Sequence, residues 1–129
     1  MAKKTILTGI KSSGHPHLGN YVGAIQPALR LAQHPDHDAL YFIADYHSLT
    51  TVHDKKTMRE STLEVAATWL ACGLDPSKVV FFRQSDIPEL FELTWVLSCF
   101  TGKGLLNRAH AYKAIVQKNE ETGADPDAG

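Results

Sequence analysis

The stretch Thr8-Gly9-Ile10-Lys11-Ser12-Ser13-Gly14-His15-Pro16-His17-Leu18-Gly19-Asn20 constrains this chain more than any other. It lies between a short apolar run and an amphipathic helical pattern. Ile6 and Leu7 read as the end of a buried strand, while Leu18, Tyr21, Val22, Ile25, Leu29 and Ala32 recur at helical spacing. A strand, a pliable turn rich in glycine and hydroxyls, and a helix N-terminus together make an anion site. Free backbone N–H groups and the positive end of the helix dipole point at whatever occupies the turn. The anion that suits this arrangement is a nucleotide phosphate.

The remaining pattern supplies the scaffold. Strand one is predicted over Lys4–Thr8 and a helix over Leu18–Gln33, with a kink expected where Pro27 removes the bond to the Gly23 carbonyl. Asp38 to Ala44 reads as a second strand, apolar enough to be covered on both faces. Asp54 is placed to cap a helix over 55–72, with Thr62, Val65, Ala66, Trp69 and Leu70 as its buried stripe. Gly73 ends it, and Asp75-Pro76-Ser77 turns the chain into a third strand, Val79–Arg83. Asp86-Ile87-Pro88-Glu89 has the pattern of a capping box, with Asp86 as the cap. Helix-linked crossovers between apolar strands predict an α/β fold: a Rossmann-like parallel sheet with flanking helices, its first half (β-α-β-α-β plus helices) only. Ligands of such sheets sit beyond the carboxyl ends of the strands, where Asp45, His47 and Gln84 join the first loop.

Two later segments behave differently. Leu90–Phe100 carries apolar residues on nearly every face, so it needs cover on both sides, from a later part of the chain or from a second subunit. A short helical stretch is expected to about His110. From Tyr112 to Gly129 the chain turns polar and reads as a mobile loop.

Composition narrows the function classes. Thirteen basic and fourteen acidic residues among 129 give a net charge of −1, with no sign of a polyanion-binding face. Cys72 and Cys99 lack CxxC pairing and read as reduced, buried thiols. Seven histidines are scattered without an H-x-x-x-H pair, so no metal site is predicted. His15 reads as a solvated loop residue. The N-terminus, Met1-Ala2-Lys3-Lys4, runs straight into a strand, and neither a signal peptide nor a membrane span is predicted.

The glycine spacing matches neither G-x-x-x-x-G-K-[ST] nor G-x-G-x-x-G with an acidic ribose partner. His17-Leu18-Gly19-Asn20 instead resembles the HIGH signature of class I aminoacyl-tRNA synthetases and related nucleotidylyltransferases. The longer run Gly14-x-x-His17-Leu18-Gly19-Asn20-Tyr21-Val22-Gly23-Ala24 is similar to the tryptophanyl-tRNA synthetase family. So are Tyr41-Phe42-Ile43-Ala44-Asp45-Tyr46-His47-Ser48-Leu49-Thr50 and Phe81-Phe82-Arg83-Gln84-Ser85-Asp86-Ile87-Pro88, in the same order. Lys11-Ser12-Ser13 departs from the Gln-Pro-Ser of many bacterial members.

The resemblance implies activation of L-tryptophan by ATP, with Mg²⁺, followed by transfer to tRNA(Trp). His17, Asn20 and Lys11 would stabilise charge on the phosphates, and Gly9, Lys11, Ser12, Ser13, His17, Gly19 and Asn20 would hold ATP. Gly19 would let adenine lie against the backbone. Leu7, Asp45, His47 and Gln84 would face the amino acid, while Phe91 and Trp95 would join a homodimer in the cytoplasm. It further implies that residues 1–111 are the first half of a catalytic domain and 112–129 a mobile connection. The second half-sheet, the KMSKS loop and the anticodon-binding domain would lie outside this sequence, which by itself would be inactive or weakly active.

Other readings stay open. Taken alone, His17 and Asn20 also fit helix caps, and Asp45 and His47 fit local turn-makers. A tyrosyl-type synthetase, a small nucleotidylyltransferase and a non-catalytic nucleotide-binding or dimerising module are the alternatives.

Overall fold

A computed structural model describes residues 2–126 of the chain. Met1 at the start and 127–129 of the expected connection lie outside the described residues. The chain divides into two compact units between Ile87 and Pro88.

The first unit is built on three parallel strands in the order β1-β2-β3: β1 (Lys4–Ile10), β2 (His37–Ile43) and β3 (Val80–Arg83). Thr8 pairs with Tyr41, and Tyr41 with Phe81. Alternation along the strands sends Ile6, Ala39, Tyr41, Ile43 and Phe81 to one face, against the helices. Trp69, 1% exposed, fills the centre of that core between the rings of Tyr41 and Phe81, at centroid distances of 5.4 and 5.9 Å. The opposite face carries Leu7, Gly9, Phe42, Val80 and Phe82. Leu7 and Val80 are 63% and 58% exposed there.

β1 runs two residues beyond the predicted Thr8, to Ile10, whose carbonyl accepts the Ala44 N–H at 2.8 Å. The predicted Leu18–Gln33 helix is a continuous run of three parts. α1 (Leu18–Asn20) passes through a π-turn, Tyr21–Ile25, into α2 (Gln26–Ala32). The π-turn shows how Pro27 is accommodated. Gln26 N–H bonds the Tyr21 carbonyl five residues back, and the proline, which has no N–H to lose, opens the next helical segment.

A short helix, α3 (Asp45–Ser48), follows β2, and α4 (Lys55–Ala71) crosses back over the sheet. Asp54 caps α4 as expected, its Oδ2 accepting the Thr57 N–H at 2.7 Å. The buried stripe differs from the prediction at both ends: Ser61 is buried and Leu70 is 47% exposed.

Asp86 does not cap the next helix. It ends a 3₁₀ turn, Gln84–Asp86, and its Oδ2 accepts the Arg83 N–H at 2.9 Å. The Arg83 guanidinium also chelates the same carboxylate. A bidentate arginine three residues back outcompetes the capping role that the sequence pattern suggests. Pro88 precedes the helix without a side-chain cap.

The second unit holds α5 (Glu89–Phe100), α6 (Lys103–Leu106) and α7 (His110–Thr122). α5 exposes Phe91, Trp95 and Phe100. The polar stretch expected as loop from Tyr112 is helical through Thr122. It ends at Gly123, whose φ of 70° lets its N–H turn back to the Glu120 carbonyl at 3.1 Å. Lys118, Glu120 and Glu121 are sound helix formers, so polarity there marks an exposed helix instead of a loop. Cys72 is half-buried and Cys99 exposed, both as free thiols, so Cys99 is not the buried thiol expected. Among the described residues, no helix is long and apolar enough to cross a membrane.

Candidate functional site

The loop after β1 closes over a small cleft of about 130 Å³ lined by Lys11, Ser13, Gly14, His15, Pro16, His17 and Asn20, with Ile10 and Val65 as its apolar floor. Four of the seven residues expected to hold ATP therefore come together: Lys11, Ser13, His17 and Asn20.

His17 and Asn20 are oriented by the helix they open. His17 Nδ1 accepts the Gly19 N–H at 3.1 Å, and Asn20 Oδ1 accepts the His17 N–H at 2.9 Å. A ring nitrogen that accepts a backbone N–H carries no proton in the neutral imidazole, so Nε2 becomes the donor. By the same logic the Asn20 oxygen is committed to the cap and its NH₂ is not. The capping reading and the phosphate reading thus coexist: the cap uses the acceptors and frees the donors. Gly19 serves the cap directly. A Cβ on it would stand 2.9 Å from His17 Cε1 and 3.0 Å from Nδ1.

The remaining loop residues have other neighbours. Lys11 Nζ donates to Thr50 Oγ1 at 3.1 Å. Ser12 is wholly buried, its hydroxyl 3.0 Å from Ser48 Oγ and 3.3 Å from Thr62 Oγ1. Its side chain therefore fastens the loop to α3 and α4 and does not face the cleft, which corrects its expected hydroxyl contact. Gly9 also lies outside the cleft lining. A Cβ on Gly9 would stand 2.7 Å from the Phe42 ring, so its role is close packing on the open face of the sheet.

His15 is not simply solvated. Its Nδ1 stands 2.6 and 2.7 Å from the two carboxylate oxygens of Glu64 on α4. That hydrogen bond, followed by the Glu64 charge, raises the His15 pKa above the ordinary histidine value. Sequence reasoning missed this pair because 49 positions separate its members.

The four residues expected to face an amino acid are only partly brought together. His47 Nδ1 lies 3.0 Å from Gln84 Oε1, joining the ends of β2 and β3. Asp45 Oδ1 accepts the Ser85 N–H at 3.0 Å and the Tyr46 N–H at 3.1 Å. Its carboxylate thus holds the turn that carries Gln84. Asp45 also borders a larger cavity of about 600 Å³, whose other walls include Leu49, Met58, Leu63 and Arg83. Leu7 lies on the exposed face of β1. No group of three or more His, Cys, Asp or Glu residues suited to a metal ion occurs among the described residues.

The chain is similar to known proteins in sequence and in fold. Residues 2–126 match the family described as tRNA synthetases class I (W and Y). The chain is 60% identical over 130 residues to a tryptophan--tRNA ligase of Neisseria meningitidis, covering all of this chain and 39% of that protein. It is 64% identical over 124 residues to the corresponding ligase of Pseudomonas putida, covering 96% of this chain and 28% of that protein. Among solved structures, tryptophanyl-tRNA synthetase from Campylobacter jejuni superposes with a TM-score of 0.80 at 40% identity, covering 95% of this chain and 37% of that one. The same enzyme complexed with ADP and tryptophan superposes at 0.79 with 44% identity, covering 88% and 35%. The chain therefore spans less than two-fifths of the length of each of these relatives.

Proposed function

Because the chain belongs to the class I tRNA synthetases for tryptophan and tyrosine, we propose that its loop after β1 is the ATP site of a tryptophan--tRNA ligase. The observation that carries this reading is the reciprocal cap at His17 and Asn20, two residues that line one small cleft at a helix N-terminus and whose acceptor atoms are used within the cap. In amino-acid activation the carboxylate oxygen of tryptophan attacks the α-phosphorus of ATP. The bond to the bridging oxygen breaks, and pyrophosphate leaves with its electron pair. No protein nucleophile is needed, so the protein's part is to position the reactants and to stabilise developing charge. Nε2–H of His17 and the Asn20 NH₂ supply that stabilisation. Lys11, by releasing Thr50, adds a mobile cation.

The cleft lining contains no carboxylate, which suits Mg²⁺ carried in by the phosphates and water and not by a protein cage. The ADP and tryptophan complex of the Campylobacter relative supports ATP and tryptophan as the ligands. We assign the amino acid to the open sheet face near Leu7, His47 and Gln84, and tRNA(Trp) to the remainder of the enzyme. Residues 1–111 are read as the first half of its catalytic domain and 112–129 as the connection to the second. The exposed apolar surface of α5, with Phe91 and Trp95, is assigned to a homodimer contact. The cytoplasm is the assigned place of action.

Amino-acid-dependent pyrophosphate exchange, with Mg·ATP binding measured in parallel, tests the reading. Residues 1–129 by themselves are expected to be inactive or only weakly active, whereas exchange with tryptophan alone is the expected result when this sequence is part of the whole ligase. ATP binding without any exchange would favour a non-catalytic nucleotide module, and no ATP binding would overturn the assignment.

A further inference from the structure

The geometry points to His15 and Glu64 as a positioning pair that sets the rim of the nucleotide cleft against α4, an inference that rests on the nucleotide reading above. The cleft rim runs from Ser13 to Pro16. Among the described residues, the His15–Glu64 contact is the one hydrogen-bonded tie that this rim makes. Ser12, just before it, is locked in the buried hydroxyl cluster, and His17, just after it, begins the helix. Between them Gly14 has φ 141°, a conformation that L side chains rarely adopt and that glycine takes without steric cost. Pro16 fixes the following φ. A tie at His15 therefore decides where Pro16 and His17 start, and with them the direction of the His17 ring.

The tie is also the titratable part of the rim, and its His15 pKa is raised by Glu64. Glu64 is the group whose hydrogen bond and charge act on His15. One turn earlier on α4, Glu60 is paired with Lys56 at 3.9 Å. On the loop itself, Lys11 is directed to Thr50 and His17 to the Gly19 N–H. The His15 midpoint is raised in the folded chain, so the charged tie is complete below the ordinary histidine pKa. It weakens as pH rises through the raised value.

Positioning and simple charge make opposite predictions, which makes the pair testable on this chain. Mg·ATP affinity is measured by titration calorimetry for the unmodified chain, for Glu64→Gln, for His15→Ala and for the double variant. If the pair positions the rim, each single change weakens ATP binding by about two- to fivefold, as expected of an exposed pair. The double variant is then no weaker than the singles. If only charge matters, Glu64→Gln removes a negative group and tightens binding, which overturns the inference. NMR titration of the Gly14 and His17 amides reads the rim without nucleotide. Both should shift with the His15 midpoint, and Glu64→Gln should lower that midpoint and abolish the shifts. Should the unmodified chain bind no ATP, the nucleotide reading fails while the NMR result still decides the pair: amides indifferent to His15 overturn it.

Discussion

Asn20 Oδ1 accepts the backbone N–H of His17 at 2.9 Å, so the residue that would donate to a phosphate also fastens the residue beside it. The two functions can be separated. Asn20→Asp keeps the acceptor and favours the helix dipole, but it replaces the outward NH₂ with a charged oxygen facing the triphosphate. Asn20→Ala loses both, at about 0.5–2 kcal/mol for the missing cap. The aspartate variant should therefore melt near the unmodified chain yet lose ATP binding, while the alanine variant loses both; calorimetry and thermal melts read the two effects.

In the whole ligase, His17→Ala should lower tryptophan-dependent pyrophosphate exchange by about 10²–10³, the usual cost of one well-placed donor to a developing oxyanion. An effect confined to the KM for ATP would instead place His17 in ground-state binding.

Gly19→Ala offers the opposite signature to a destabilising change. A methyl group suits a helical position better than glycine by up to about 1 kcal/mol. Yet that methyl would sit 2.9 Å from the His17 ring and push it off the Gly19 N–H. The helix gain and the lost cap should largely offset in thermal stability while nucleotide binding weakens, with chemical shifts of the His17 ring as the direct readout.

Acidification should release α4 at its start. Asp54 has a lowered pKa, chiefly because it accepts the Thr57 backbone N–H and then the Thr57 hydroxyl. A carboxylate with a depressed folded pKa contributes stability that is present above its unfolded value and disappears as pH falls through the folded one. Asp54→Asn should flatten the acid limb of the melting-temperature curve, whereas Asp75 and Asp86, also lowered, keep theirs.

Trp69 is the core residue most worth changing. Trp69→Ala should cost about 3–5 kcal/mol, as large aromatic truncations do. Its indole Nε1 is buried without a partner among the described residues, so Trp69→Phe removes an unsatisfied donor along with some contact area. Denaturant unfolding should show the phenylalanine variant much closer to the unmodified chain than the alanine one.

Much of this molecule is legible in its sequence because its signals are local. The three strands, the Asp54 cap and the His17–Asn20 helix start each rest on residues within four positions of one another. What sequence reasoning missed depends on distant partners or on competition. Ser12 is buried because Ser48 and Thr62 converge on it from α3 and α4, and His15 has a partner because α4 presents Glu64 beside the loop. Asp86 departs from the expected cap because Asp-x-x-Glu fits a cap equally well, and nothing in that spacing reveals that Arg83 claims the carboxylate. Gly9 and Phe42 touch only through strand pairing, which spacing along the chain does not encode.

The π-turn at Tyr21–Ile25 makes the helix an indexing device. Each α-helical residue advances about 100° around the axis, and a π-turn absorbs one residue more than its α counterpart. That surplus residue sets the angle between the cleft-facing His17–Asn20 end and the core-facing side that buries Ile25 and Ala28. Deleting one residue between Tyr21 and Ile25 would relax the turn to ordinary α geometry, leaving the hydrophobic anchor in place while swinging both donors away from the cleft. Length in this short interval is thus fixed by aim, where elsewhere along a helix it is fixed by reach.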